Sequence, residues 1–165
     1  MRLVKFCTFL LIAVLVAPRT SASQTAPVIT QQQIALWDAV IAGNVAKAVD
    51  AIKAGADVNG LDTRKNRAGP NGRRPLNYAV IRNNTTMIEV LLNAGANINL
   101  ANRSGFTPLH HAGEAGSKEA ATLLITKGAN LTLRNMHDQT PEQTATASHH
   151  QEVAEILHQA MTNSK

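Results

Sequence analysis

The chain has 165 residues, with 16 Lys and Arg against 11 Asp and Glu, a formal net charge of +5 and only 3% aromatic residues. That length fits one compact domain. A single cysteine, Cys7, excludes an internal disulfide and any site built on several thiolates.

The first element in chain order is a leader. Arg2 and Lys5 give a basic start, Phe6 to Ala17 is almost wholly apolar, Pro18 breaks the run, and Thr20-Ser21-Ala22 supplies small residues. This is the pattern of a secretory signal, too short and wrongly flanked for a membrane span. Residues 1–22 are therefore expected to be removed, leaving no stable membrane anchor after cleavage; an N-terminal anchor that stays uncleaved is the alternative. Without Arg2, Lys5 and Arg19 the remaining chain carries 13 basic and 11 acidic residues, a net charge of +2. It also has no cysteine, so its stability must rest on packing alone.

Residues 23–31 read as a disordered linker. Helical patterning then begins at Ile34, where Leu36-Trp37 and Ala39 open a first unit that runs to Asn59. Trp37 is expected to cover the end of the core. A second unit follows Pro75, a third Pro108 and a fourth Pro141, and these prolines lie 33 residues apart. Each is followed four residues later by an alanine: Ala79, Ala112 and Ala145. Gly-Ala pairs recur in step at Gly55-Ala56, Gly95-Ala96 and Gly128-Ala129. A fixed period of this length marks a solenoid of repeated helix pairs.

The third unit shows why each repeat folds. Gly105 suits a turn, Thr107 caps a helix through its hydroxyl, and Pro108 fits the first helical position, where a missing N–H costs nothing. Gly116 ends that short helix. A second helix is predicted over about Lys118 to Lys127, with Ala120, Ala121, Leu123, Leu124 and Ile125 on its apolar side and Gly128 as its stop. In the second unit Arg74 stands where the capping threonine would be, which predicts a looser helix start by about 1 kcal/mol. In the fourth, Thr140-Pro141-Glu142-Gln143 offers a box-like start, and Glu152 and Glu155 mark a solvent-facing terminal helix.

Gly105-Phe-Thr-Pro-Leu-His-His-Ala112 resembles the G-x-T-P-L-H-x-A signature of ankyrin repeats, and Leu123 to Asn130 is similar to that family's second-helix ending. The resemblance covers roughly residues 32–160. It implies an all-α solenoid of about four helix-turn-helix units with finger loops, at about 32–60, 71–101, 102–134 and 135–160, then a flexible tail, 161–165. The first unit is similar to N-terminal capping repeats, where a polar or bulky face closes the stack. Resemblance to small signal-bearing bacterial members of the family implies the periplasm or secretion.

One irregularity interrupts the period. Gly55 to Gly95 spans 40 residues, so seven are inserted before Pro75, in a polar, turn-rich, basic segment at about 61–70. It is expected to be an elongated finger loop, and insertions in repeats map to loops, often on the binding side. A tolerated surface insertion with no role is the equal alternative.

The resemblance also implies where a partner would bind: the finger tips and the open side of each first helix. Transferred onto this sequence, those positions include Arg73, Ile81, Arg82, Arg103, Phe106 and His137, joined by Arg64, Lys65 and Arg67 of the insertion. Asn71, Ser104, Glu114, Met136 and Gln139 lie on the same surfaces. Phe106 and Ile81 are expected as exposed apolar anchors amid arginines, a hot-spot composition. The expected partner is a protein with an acidic surface, taken by a monomer. Ordinary solvated charge is the bland alternative.

Other chemistries find little support. Scarce aromatics argue against base-stacking platforms, which sets nucleic acid aside. His110 occupies the T-P-L-H position, and the resemblance implies a scaffold role for it. His111, His137, His149, His150 and His158 crowd the second half without a recognised ligand spacing, so no metal or other cofactor is expected, although a histidine-based metal site remains an alternative. There is no G-x-S-x-G, phosphate loop or H-E-x-x-H, and the glycines follow the repeat, so no enzyme activity is expected. An inhibitor or immunity role against an exported enzyme is the other reading.

Overall fold

The structure is a computed structural model that describes residues 29–163. The expected signal, most of the linker and the last two residues lie outside the described residues. Helices α1 (Gln31–Ile41) and α2 (Val45–Lys53) form a first pair, followed by a short α3 (Lys65–Ala68). Three further pairs are α4 (Pro75–Ile81) with α5 (Thr85–Asn93), α6 (Pro108–Ala115) with α7 (Lys118–Thr126), and α8 (Pro141–Ala147) with α9 (Gln151–Asn163). Helix α9 thus continues past residue 160 into the segment expected to be a flexible tail.

The pairs stack in chain order in two layers. Helices α1, α4, α6 and α8 pack in an inner row, and α2, α5, α7 and α9 in an outer one. Small residues let the inner row close up. Ala79, Ala112 and Ala145 are fully buried, and a Cβ added to Gly113 would lie 2.8 Å from the Pro141 carbonyl oxygen. Leucines and other aliphatics fill the space between layers: Leu36, Met87, Ile88, Leu91, Leu109, Leu124 and Leu157 are all buried. Each such side chain contributes roughly 1.5–3 kcal/mol by leaving water.

The Gly-Ala pairs end the outer helices. Gly55, Gly95 and Gly128 take positive φ, and the next amides turn back, Ala56 to Ala51, Ala96 to Leu91 and Ala129 to Leu124, at 2.9–3.0 Å. This is the left-handed stop that a side chain would strain. Beyond it, asparagines lace each unit to the next. Asn59 Oδ1 accepts from the Asn97 amide and Asn99 Oδ1 from the Asn130 amide, each at 2.8 Å. At the N-terminal end no preceding asparagine exists, and Gln33 substitutes. Its Oε1 accepts from the Asp57 amide at 2.8 Å, and its Nε2 donates to the Asp57 carbonyl at 3.1 Å.

The structure bears on two expectations. Among the described residues the outward side of the first pair is a polar face, where Gln31, Gln32, Asp38, Asn44, Lys47 and Asp50 surround Ala35, Ala39, Ala42, Ala51 and Ala54 in an open groove of about 650 Å³ that Trp37 does not line. Trp37 is buried instead, with its Nε1 donating to the Gly60 carbonyl at 3.1 Å. Nor is the Arg74 start left loose. A guanidinium offers no acceptor, so only half of a capping box forms, from the Arg74 amide to Asn77 Oδ1 at 3.0 Å. The guanidinium compensates by donating to the carbonyls of Asn59 and Ala101, tying the neighbouring fingers together.

Candidate functional site

The fingers share one hydrogen-bonded frame. The Asn102 amide donates to the Phe106 carbonyl at 2.9 Å, and the Asn135 amide to Gln139 at 3.0 Å. Inside each turn the asparagine side chain accepts from two further amides, Ser104 and Phe106 or His137 and Gln139. The second unit closes the same frame between Asp62 and Arg73, which form an isolated antiparallel bridge with bonds of 2.8 and 3.1 Å. Its turn holds twelve residues where Asn102 to Phe106 holds five. The seven extra residues therefore sit inside the finger itself. Neighbouring fingers also join, the Arg103 amide donating to Asn71 and the Met136 amide to Ser104.

The insertion is folded onto the body, not an extended loop. Helix α3 buries Ala68, and Asp62 is fully buried. Arg64 holds Asp62 through Nε and Nη2 at 2.9 and 2.8 Å, and reaches Asp38 of α1 at 3.0 Å. The Tyr78 hydroxyl of α4 donates to the second Asp62 oxygen at 3.0 Å. Arg64 also lies over the Trp37 ring, 5.1 Å from its centroid. Burial opposes the charge on Asp62, but the Arg64 side chain and amide and the Tyr78 hydroxyl outweigh it and hold the pKa below the ordinary carboxylate value. Burial and the neighbouring Asp62 push Tyr78 upward.

This geometry sorts the basic residues. Arg64 is committed to Asp62 and Asp38 inside the fold. Arg67 stands 3.8 Å from Asp38 and is more than half exposed. Lys65, Arg73, Arg82 and Arg103 have no carboxylate within ion-pair distance among the described residues. The apolar positions also differ from expectation. Phe106 and Ile81 are only partly exposed, whereas Met136 is 74% exposed and Ile29 41%. Phe106 packs among imidazoles, with ring centroids 5.6 Å from His110, 5.5 Å from His111 and 6.5 Å from His137.

A narrow cleft separates the tip of the insertion from the third unit. It is lined by Gly69 to Arg73 on one side and by Phe106, His111 and Glu114 on the other, and encloses about 100 Å³. His111 is buried and its Nδ1 meets Glu114 at 2.9 Å. That hydrogen bond keeps the Glu114 carboxyl below its usual pKa, against partial burial, with the field of Arg73 adding to the effect.

The remaining histidines are engaged separately. His110 Nε2 lies 2.9 Å from the Gln139 carbonyl, and its Nδ1 faces the Thr107 amide and hydroxyl. A carbonyl only accepts, so Nε2 carries the proton and the ring is a neutral strut between units. His150 meets the Gly113 carbonyl at 3.0 Å, and His158 meets Glu142 at 3.1 Å. Among the described residues no three His, Cys, Asp or Glu side chains converge to hold a metal ion.

Residues 36–135 match the family model described as Ankyrin repeats (3 copies). The chain belongs to the ankyrin-repeat family. Helices α8 and α9 add a fourth pair beyond the matched segment. No curated protein matches the chain. As an ankyrin solenoid it is a protein–protein interaction module, of a family that is typically non-catalytic. No helix among the described residues is long and apolar enough to cross a membrane.

The site residues that motif transfer missed are those holding the insertion: Asp38, Asp62 and Tyr78. Asp62 was within reach, because with the seven extra residues removed it falls in step with Asn102 and Asn135. Asp38 and Tyr78 carry no such signal, since nothing in the repeat says that a finger folds back over them.

Proposed function

We propose that this ankyrin protein is an exported, non-catalytic adaptor that acts as a monomer and takes its partner on the finger tips and the open inner side of units two to four. The observation that carries this reading is that Lys65, Arg73, Arg82 and Arg103 have no carboxylate at ion-pair distance among the described residues, while Arg73 lines one cleft with the half-buried Phe106 and the exposed Met136 is bonded to the finger that carries Arg103. Cationic and apolar groups in one place suit a partner with an acidic surface, since charges steer the encounter and apolar anchors hold it. The folded insertion needs no ordering on contact, which lowers the entropic cost of binding.

Export is supported by the basic, apolar and small-residue succession of residues 1–22. Fractionation with N-terminal sequencing tests it: the chain recovered outside the cytoplasm should begin near Ser23, and recovery only as uncleaved cytoplasmic protein sinks the localisation. For the binding face, a photocrosslinker at Met136 is combined with Arg73→Glu plus Arg82→Glu. The wild type should crosslink to a defined partner that the double variant fails to capture. Equal capture by both removes the face.

A further inference from the structure

We propose that the cleft between the inserted finger and the third unit is a carboxylate pocket, which seats one Asp or Glu side chain of an acidic peptide segment on Arg73. This rests on the protein-binding reading above and names the chemistry of the partner that the site would select.

Arg73 carries an unsatisfied charge in a fixed place. Arg73 is locked through its amide and carbonyl to Asp62, so its side chain starts from a rigid point. Its guanidinium carries five donors, yet it makes no ion pair or hydrogen bond among the described residues. The carboxylates of α1, the insertion and α6 are all engaged by others: Asp38 by Arg64 and Arg67, Asp62 by Arg64 and Tyr78, and Glu114 by His111. Local folding has thus used up the anions and left this cation over.

The shape of the cleft also fits a single side chain. A volume of about 100 Å³ corresponds to roughly three water molecules, room for the end of one side chain and no more. Phe106 forms an apolar wall, and excluding water there strengthens any ion pair made inside. Arg103 is joined to the insertion only through its amide at Asn71 and borders a separate groove with Leu61 and Thr63, so the cleft itself offers one cation, Arg73.

Glu114 lies on the other side of the same cleft, so it limits the pocket to one carboxylate and opposes even that one. The two charged walls therefore act with opposite signs, which a merely sticky basic surface would not show.

The test is fluorescence polarisation with a fluorescein-labelled oligo-glutamate peptide, compared with oligo-glutamine, oligo-lysine and single-stranded oligo-thymidylate probes. The purified chain should bind oligo-glutamate alone. Arg73→Gln, which keeps the backbone bridge, should weaken binding about tenfold, as expected for losing a charge-assisted pair in a partly dry site. Glu114→Gln should tighten it by about two- to threefold by removing a screened repulsion. Lys47→Ala, on the outer helix α2, should change nothing, and circular dichroism melts confirm that each variant is folded. Binding that survives Arg73→Gln within a factor of about two overturns the pocket, given the loss expected of such a pair. So does oligo-thymidylate binding as tightly as oligo-glutamate, or a wild type that ignores the peptide. If the Met136 crosslink still captures its partner under those outcomes, the adaptor reading stands while the pocket falls.

Discussion

Arg64 in the inserted finger and Asp38 in the first helix meet with Nη1 3.0 Å from Oδ1. The same guanidinium holds the fully buried Asp62, so one side chain both neutralises a buried anion and fastens the finger to the first unit. A finger pinned in this way presents its remaining cations from fixed positions.

Removing that side chain should be costly. In Arg64→Ala, Asp62 keeps its burial and loses its charged partner, which is expected to destabilise the protein by about 3 kcal/mol. Urea unfolding measures it. Adding Asp62→Asn should recover part of the loss, because the uncompensated charge is then gone; an additive double variant refutes this account.

Asp62 also makes the fold sensitive to acid. Its folded pKa lies below the ordinary aspartate value of 3.8, so the stability it contributes is present above that value and lost as pH falls through the lower, folded one. Wild-type stability should therefore drop more steeply than that of Asp62→Asn below about pH 4. Parallel acid titrations followed by circular dichroism check this, and equal steepness in the two proteins would contradict it.

Buried His110 gives a second pH effect at milder acidity. Burial lowers its pKa from the ordinary histidine value of 6.5, so it contributes stability above that value that is lost as pH falls towards the folded one. The melting temperature of wild type should decline from neutral pH into this window. His110→Asn should be less stable at neutral pH, through loss of the Gln139 contact, and less pH-dependent. An unchanged slope in thermal melts across the window would exclude His110 as the source.

Asn77 holds the position in unit two that His110 holds in unit three. Its Oδ1 caps the Arg74 amide, but its buried Nδ2 has no partner among the described residues. The shorter side chain does not make the inter-unit bond that His110 makes to Gln139. Asn77→His should supply that bond to the Phe106 carbonyl and stabilise the protein by about 1 kcal/mol, raising the urea midpoint with no change in its slope.

Gln33 ends the asparagine ladder at the first unit. Gln33→Ala removes both bonds to the Asp57 backbone, with an expected cost of about 1–2 kcal/mol. Hydrogen exchange should show the Asp57 amide losing protection ahead of Asn97 and Asn130. Uniform loss along all three would mean that the ladder opens as a whole and not from this end.

The repeat itself was legible because its physics is local. Prolines at first helical positions, glycines at left-handed stops and alanines at close approaches each need one residue type, and they recur in step. The insertion was legible only as a break in that period. Whether it hung free depended on Asp38 and Tyr78, residues distant in sequence whose roles appear only when the finger folds over them. Exposure at Phe106 and Ile81 was misjudged for a related reason. Motif transfer gives the face a residue occupies, not what neighbouring loops and rings place on top of it.

The bridge between Asp62 and Arg73 has a consequence for how this protein can change over time. It closes the finger at the same two positions that shorter turns use elsewhere, so the number of residues between them can change without shifting the register of the stack. The stretch between them can be shortened, lengthened or rewritten while the scaffold keeps its register, provided that Asp62 retains a cation. Selection for a different partner would then need to act on one exchangeable cassette, leaving the architecture that displays it untouched.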